Sequence, residues 1–271
     1  MNARRIEMIE NNESYIAIVI AAGQSERMGS FKPLLDLGGR PALFHLIDSI
    51  LASGIGTIIV VTGHENKAVE DALGLYTSSC AFLSKNDAEN TIYRLSTINN
   101  KDYKTGMFSS VKTGIKRVSE MLKNTGLPAN SHKASLLFLA DVPLVSSKTI
   151  NGLIRKYEDF LLSTRFVDKR NASEAGLSLS QVDVKTEPFA VPVFEGKNGH
   201  PLLIPKCHYD EILRYTGEGG LKAIRNNYGD SMIRYETSDQ GCVLDMDTQD
   251  DYLALQNYLK TIEDLEKSKD G

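Results

Sequence analysis

The stretch VIAAGQSERMGSFKPLL, residues 19–35, decides the fold. A run of apolar β-formers, Tyr15–Ile20, ends abruptly in Ala21-Ala22-Gly23. Small and polar residues follow, with two cations at Arg27 and Lys32 before the chain turns apolar again. A strand without apolar–polar alternation is buried on both faces, as in a parallel sheet covered by helices. Ligands of such sheets sit beyond the carboxyl ends of the strands, where the residues after Ile20 must lie. Small residues there let backbone N–H groups approach an anion closely. A planar guanidinium and a mobile ammonium together suit a polyphosphate. The competing reading is a tight strand-to-helix turn with two solvated cations. The spacing is neither GxGxxG nor GxxxxGK[ST], because Gly23 is followed next by Gly29, and Ser30 and Phe31 come after it.

Outward from this stretch, strand and helix patterns alternate. Residues 41–53 read as a helix, with Pro41 in its first turn, Leu43, Ile47, Ile50 and Leu51 at helical spacing, and Gly54 as a stop. Thr57–Val61 reads as a buried strand and Glu65–Leu73 as a helix. Val111, Ile115, Val118 and Leu122 mark one face of another helix. SLLFLAD (135–141) is a buried strand ending in a carboxylate, followed by a helix through Ile150, Leu153, Ile154, Tyr157 and Leu161. SMIRYETS and CVLDMD read as late strands, and 249–266 as a charged helix. The alternation predicts an α/β fold with a parallel sheet covered on both faces. Residues 84–105 and 163–187 are polar and irregular and read as insertions. The expected organisation is a loose tail over 1–14, one domain over 15–262 and a C-terminal tail over 263–271.

Composition excludes several classes. The chain has 271 residues and a formal net charge of −4, from 31 basic and 35 acidic residues. It has no sustained basic stripe, which argues against a nucleic-acid partner. Cys80, Cys207 and Cys242 are far apart and form no CxxC pair. That argues for a reducing, cytoplasmic setting and against a disulfide framework or a cysteine-bound zinc. The first 14 residues contain no apolar segment of signal-peptide type. No apolar run approaches the ~20 residues of a membrane span.

AAGQSERMGSFKPLL resembles the signature loop of nucleotidyltransferases, roughly AAGxSxRMGxxKxLL. The single-domain MobA-like group is the nearest resemblance, and within it the molybdenum cofactor cytidylyltransferases. Further blocks run in the family's order. NKDYKTGMFSSVKTGI (100–115) is similar to NPDYxxGMxxSVxxG, and FLADVPLV (138–145) to xxGDMPxL. NGHPLLIP (198–205) resembles GHPxL, TGEGGLKAI (216–224) resembles GDxGxR, and VLDMDTQDDY (243–252) resembles DIDTPEDY. Lys101, Ala140, Lys222 and Gln249 depart from the pattern, whereas Asp141 and Asp247 keep it.

The resemblance implies a Rossmann-like three-layer α/β/α nucleotidyltransferase fold with a mostly parallel mixed sheet. It implies transfer of a nucleotidyl group from an NTP, CTP foremost, to a phosphorylated pterin acceptor, with Mg²⁺ as cofactor and pyrophosphate released. A molybdoenzyme apo-protein is the implied recipient of the product. Mg²⁺ takes one or two carboxylates plus phosphate oxygens, so Asp141 and Asp247 are the expected ligands, with Asp245 beside them. Asp245 and Asp247, two apart in an apparent strand, would point to one face. The competing readings are a helix N-cap for Asp141 and turn chemistry for the DxDT run. Arg27, Lys32 and Asp141 form the expected catalytic set.

Nucleotide contacts are expected from Ala21, Ala22, Gly23, Ser25, Arg27, Lys32, Thr62, Gly63, Asn100, Gly106, Ser109 and Ser110. Ser109 and Ser110 equally suit simple N-capping. Gly199, His200 and Pro201 are expected at the acceptor. His45 reads as packing and His64 as a neighbour of the base, while His132 and His208 carry no signal. The Ala22 methyl, where guanylyl-transferring relatives carry glycine, would narrow the base pocket towards a pyrimidine. Alternatives are a nucleotidyltransferase for a sugar or polyol phosphate, and a non-catalytic protein that delivers cofactor. A nicotinamide-dependent oxidoreductase would need a glycine fingerprint that is absent here.

Overall fold

A computed structural model describes residues 12–23, 31–79, 94–124, 131–175, 187–228 and 231–270. Strands β1 (Tyr15–Ala21), β2 (Thr57–Thr62), β3 (Arg94–Asn99) and β4 (Ala134–Leu139) pair in parallel, in the order β3-β2-β1-β4. Beyond β4 the sheet becomes mixed. β7 (Leu202–Pro205) runs antiparallel to β4, and β5 (Ala190–Phe194) pairs with β7, with the two-residue β6 (Lys197–Asn198) and with β8 (Ile233–Glu236). The result is an eight-stranded mixed sheet.

The absence of alternation in β1 has a direct cause. Ala17, Val19 and Ala21 enter one apolar cluster with α1 (Ala42–Ala52), α2 (Asn66–Ser79) and α4 (Ser147–Ala175). Ile16, Ile18 and Ile20 enter a second cluster, with α3 (Met107–Asn124), on the other face. Both faces are buried, so the period of two is invisible in the residue types. Each fully buried aliphatic side chain contributes about 1.5–3 kcal/mol.

A third cluster is small but positions the site. Leu37, Ala42, Leu144, Met246, Leu255 and Leu259 pack together, with the last two on α7 (Gln249–Asp270). It binds the chain after Lys32, the loop after β4 and the segment before α7 into one body.

Several elements differ from the sequence reading. β3 lies inside the stretch read as an irregular insertion. It is a sheet-edge strand of half-exposed residues, and Ser96, Thr97 and Asn99 conceal it. The helix after β4 continues to Ala175, through the start of the second expected insertion. CVLDMD is not a strand: a 3-10 turn, Gln240–Cys242, leads into irregular chain. Helix α7 continues to Asp270, where a tail was expected. At the other end, Asn12 is already tied down. Its side-chain amide donates to Ser53 O at 2.7 Å and to Asn151 Oδ1 at 3.0 Å. No helix among the described residues is long and apolar enough to cross a membrane.

Candidate active site

The parallel register aligns four strand ends. Ala21 pairs with Thr62, Thr62 with Asn99, and Ile20 with Leu139. Gly23, Gly63, Asn100 and Asp141 therefore leave the sheet along one edge, the carboxyl edge where ligands of such sheets bind. β7 is antiparallel to β4, with Leu202 opposite Leu137, so Gly199, His200 and Pro201 enter the sheet at that same edge. Ser25 and Arg27 lie outside the described residues.

Two loops are pressed together to build the acidic centre. Asp239 Oδ2 accepts from the Ser146 backbone N–H and hydroxyl, each at 2.8 Å, and from the Thr149 hydroxyl at 2.7 Å. Its Oδ1 accepts from Gly241 N–H at 2.9 Å and from the Tyr258 hydroxyl at 3.0 Å. Gly241 passes so close to the β4–α4 loop that a Cβ there would lie 2.1 Å from Leu144 O. Met246 is fully buried and directs its neighbours Asp245 and Asp247 outward.

These contacts bring Asp247, Asp245, Asp141 and Lys32 within electrostatic reach of one another. Lys32 Nζ lies 2.6 Å from Asp247 Oδ1. Burial pushes the Asp141 carboxyl above the usual carboxylate range; Asp247 and Asp245 add to the rise and Lys32 opposes it. Asp245 is raised as well, first by burial, then by Asp247 and Asp251. Asp141 Oδ1 is buried without a hydrogen-bond partner. No three His, Cys, Asp or Glu side chains among the described residues are grouped to hold one metal ion. Mg²⁺ needs only one or two carboxylates when phosphate supplies the remaining oxygens. The unpartnered Asp141 oxygen beside Asp247 fits that requirement.

The expected nucleotide contacts divide. Gly23 is exposed at the mouth of the edge, but Ala21 and Ala22 are only 2% and 3% exposed. A Cβ on Gly63 would fall 2.6 Å from Tyr103 Cβ and 3.0 Å from Ala22 Cβ. The Ala22 methyl is buried beside Gly63, in the same apolar cluster as Tyr103. Thr62 is fully buried, its hydroxyl bonds Asn66 and Ile98 O, and its carbonyl accepts the Asn100 N–H at 2.8 Å, so it is enclosed in the sheet. Asn100 donates to Ser109 Oγ at 2.8 Å and to Ser110 Oγ at 2.9 Å. Ser109 also bonds the carbonyls of Asp102 and Gly106. These bonds tie the 100–106 loop to the start of α3 through side-chain and carbonyl contacts, not through the backbone N–H acceptance of an N-cap. His64 lies beside Phe31 and Tyr103, with ring centroids 6.4 and 6.3 Å away. His45 bonds Leu37 O at 2.7 Å, in keeping with packing.

Next to the acidic centre opens a cleft of about 420 Å³. It begins at Leu139, two residues before Asp141, and is walled by Phe108 and Leu221. Gly106, Gly199 and His200 also line it, whereas Pro201, joined to His200 by a cis bond, is buried behind. Lys222 and Arg225, from α6 (Gly220–Asn227), which follows the short α5 (Tyr209–Arg214), supply two cations. Burial, with Arg225 nearby, pushes the His200 imidazole down to about 4, so it is neutral at pH 7. Its Nδ1 has no hydrogen-bond partner. Phe108, Leu221 and Arg225 were not singled out in the sequence. Apolar cleft walls carry the same pattern as core, so only the cations Lys222 and Arg225, two and five residues beyond Gly220, offered a signal.

A parallel sheet edge with a lysine, a carboxylate centre and an adjoining cleft is the setting that nucleotidyl transfer requires. The model of the MobA-like NTP transferase domain matches residues 17–232, and the chain belongs to that family. The bifunctional protein GlmU of Staphylococcus saprophyticus is 26% identical over 145 residues, 53% of this chain and 26% of that protein. The matched region thus spans about a quarter of that relative. The crystal structure of Rv0371c from Mycobacterium tuberculosis H37Rv superposes with a TM-score of 0.58 at 20% identity, over 90% of this chain and 98% of that one. Molybdopterin-guanine dinucleotide biosynthesis protein A from Archaeoglobus fulgidus gives 0.54 at 12% identity, over 90% and 98%. At these identities the two structures show the shared fold.

Proposed function

We propose that the protein transfers a cytidylyl group from CTP to a phosphorylated pterin, molybdopterin, and releases pyrophosphate in the cytoplasm. The observation that carries this reading is the convergence of Lys32, Asp141 and Asp247 beside an apolar cleft with two cations. In the reaction an acceptor phosphate oxygen attacks the α-phosphorus, and the bond from that phosphorus to the β-bridging oxygen breaks. Asp141 and Asp247 would hold Mg²⁺, which when bound neutralises triphosphate charge. Lys32 neutralises the charge that develops on the departing pyrophosphate, a purely electrostatic contribution. A phosphate dianion is already deprotonated, so no general base is needed. Lys222 and Arg225 draw the acceptor phosphate inward, while Phe108, Leu139 and Leu221 suit a flat heteroaromatic body. Neutral His200 offers a ring nitrogen to that body. Arg27 and Ser25 complete the phosphate contacts in this reading.

A sugar phosphate acceptor is the second reading, favoured by the partial similarity to GlmU. The apolar walls count against it, because sugar hydroxyls buried there would lack partners. The deciding experiment is a panel of CTP, GTP, ATP and UTP against molybdopterin and hexose 1-phosphates with Mg²⁺, scored by pyrophosphate release. CTP with molybdopterin should turn over fastest. Turnover confined to a sugar phosphate would replace the pterin reading. Tight binding of pterin without pyrophosphate release would make the protein a delivery factor.

A further inference from the structure

Lys32 is assigned to the phosphates, yet its ammonium rests on a carboxylate. It lies 2.6 Å from Asp247 Oδ1, with the lysine side chain only 14% exposed. Its charge also reaches Asp141 and Asp245, which feel the negative charge of Asp247 at the same time. Three carboxylates drawn together by the Asp239 contacts and the Met246 cluster repel one another unless a cation sits among them. Lys32 is placed to be that cation. Its position is anchored from behind, since Pro33 is buried in the same 3-10 turn, Lys32–Leu34. Its four-carbon stem can carry the ammonium from one anion to another.

We infer that Lys32 is the centre's own counter-ion: in the nucleotide-free protein its ammonium takes the place beside Asp247 that a divalent cation takes with substrate bound. The inference rests on the metal reading above. A dication arriving alone must displace the ammonium from its ion pair with Asp247. A dication arriving with a triphosphate gives the ammonium a new partner on the phosphates. Metal and nucleotide therefore bind with positive coupling, and the coupling is reciprocal. Lys32 thus keeps the acidic centre from collecting free divalent cations and reserves it for the metal–nucleotide complex.

The test is a Mn²⁺ titration of the full chain by electron paramagnetic resonance, with and without a non-hydrolysable CTP analogue. Wild type is compared with Lys32→Gln, Lys32→Arg and Asp247→Asn, each checked for folding by circular dichroism. Without nucleotide, Lys32→Gln should bind Mn²⁺ about tenfold more tightly than wild type, and the gain from adding nucleotide should shrink by a similar factor. Lys32→Arg, which keeps the charge, should stay near wild type. Asp247→Asn should weaken Mn²⁺ binding in both states. If Asp247→Asn weakens binding but Lys32→Gln is no tighter than wild type, the counter-ion role is overturned and the metal site stands. If no form binds Mn²⁺ even with nucleotide, or Asp247→Asn changes nothing, the metal reading falls and the inference with it.

Discussion

Asp239 accepts both the backbone N–H and the hydroxyl of Ser146, each at 2.8 Å. One carboxylate thereby pins the loop that carries Asp141 to the segment that carries Asp247. Asp239→Ala should release that clamp. Hydrogen bonds to a charged group contribute about 1.5–3 kcal/mol, so a loss of roughly 2–4 kcal/mol of stability is expected. Nucleotidyl transfer should fall more than the nucleotide KM rises, because the two carboxylates lose register. Urea unfolding and steady-state kinetics check this. Wild-type kinetics in a destabilised variant would confine Asp239 to folding.

The packing of Ala22 changes what its substitution should do. Ala22 is only 3% exposed, and its Cβ lies 3.0 Å from where a Cβ on Gly63 would stand. Ala22→Gly should shift the ratio of CTP to GTP in kcat/KM by less than about threefold. Gly63→Ala, whose Cβ would collide with Tyr103, should lower kcat/KM at least about tenfold by displacing the Tyr103–His64 wall. A large loss of discrimination in Ala22→Gly would restore the methyl as the reader of the base.

The strand ends and the acidic residues were legible in the sequence because both are local. A β-branched run that stops at Ala-Ala-Gly, or at Ala-Asp, marks a buried strand end whatever the rest of the chain does. What was illegible depends on distant partners. β3 is an edge strand, so half of its residues are polar. Pro192 sits inside β5, and a proline argues against a strand when only the local chain is read. The CVLDMD segment looks like a strand because Met246 is buried between two outward carboxylates, but it is packing against Leu37 and Leu144 that imposes this alternation. The burial of Ala22 was illegible for the same reason: Tyr103, in the same apolar cluster, is far away along the chain.

Acid should destabilise the fold through two histidines. His132 is pushed down to about 4 by burial and then by Lys206, and His200 to about 4 by burial and then by Arg225. Each titrates near 6.5 when unfolded. The unfolded chain therefore takes up protons first, and the contribution is complete above pH 6.5 and lost progressively as pH falls towards 4. Each histidine contributes at most about 3 kcal/mol to this loss. Asp141 and Asp245, which are raised, act in the opposite sense at the acid end. Urea unfolding from pH 7.5 to 4.5 should show the decline, and His132→Gln should flatten it. An equal slope in wild type and variant would contradict the assignment.

The cation pair of the cleft should act on the acceptor alone. Arg225→Ala should raise the acceptor KM about tenfold or more, as a charge-assisted contact is lost, and leave the KM for CTP within about twofold. Lys222→Ala should do the same more weakly, since a lysine offers no planar fork. Equal effects on both substrates would move the acceptor away from this cleft.

The most direct measurement is pyrophosphate release by Asp141→Asn, taken together with its melting temperature. Asp141 is half-buried, its carboxyl is raised first by burial, and its Oδ1 is buried without a hydrogen-bond partner. Such a carboxylate costs stability in the free protein, where Lys32 offsets only part of its charge, and is better compensated when a dication is bound. With CTP, Mg²⁺ and molybdopterin, the variant should lose at least about a thousandfold in kcat. Without ligands it should melt at a temperature equal to or above that of wild type. Wild-type turnover in Asp141→Asn would contradict the account, whatever its stability.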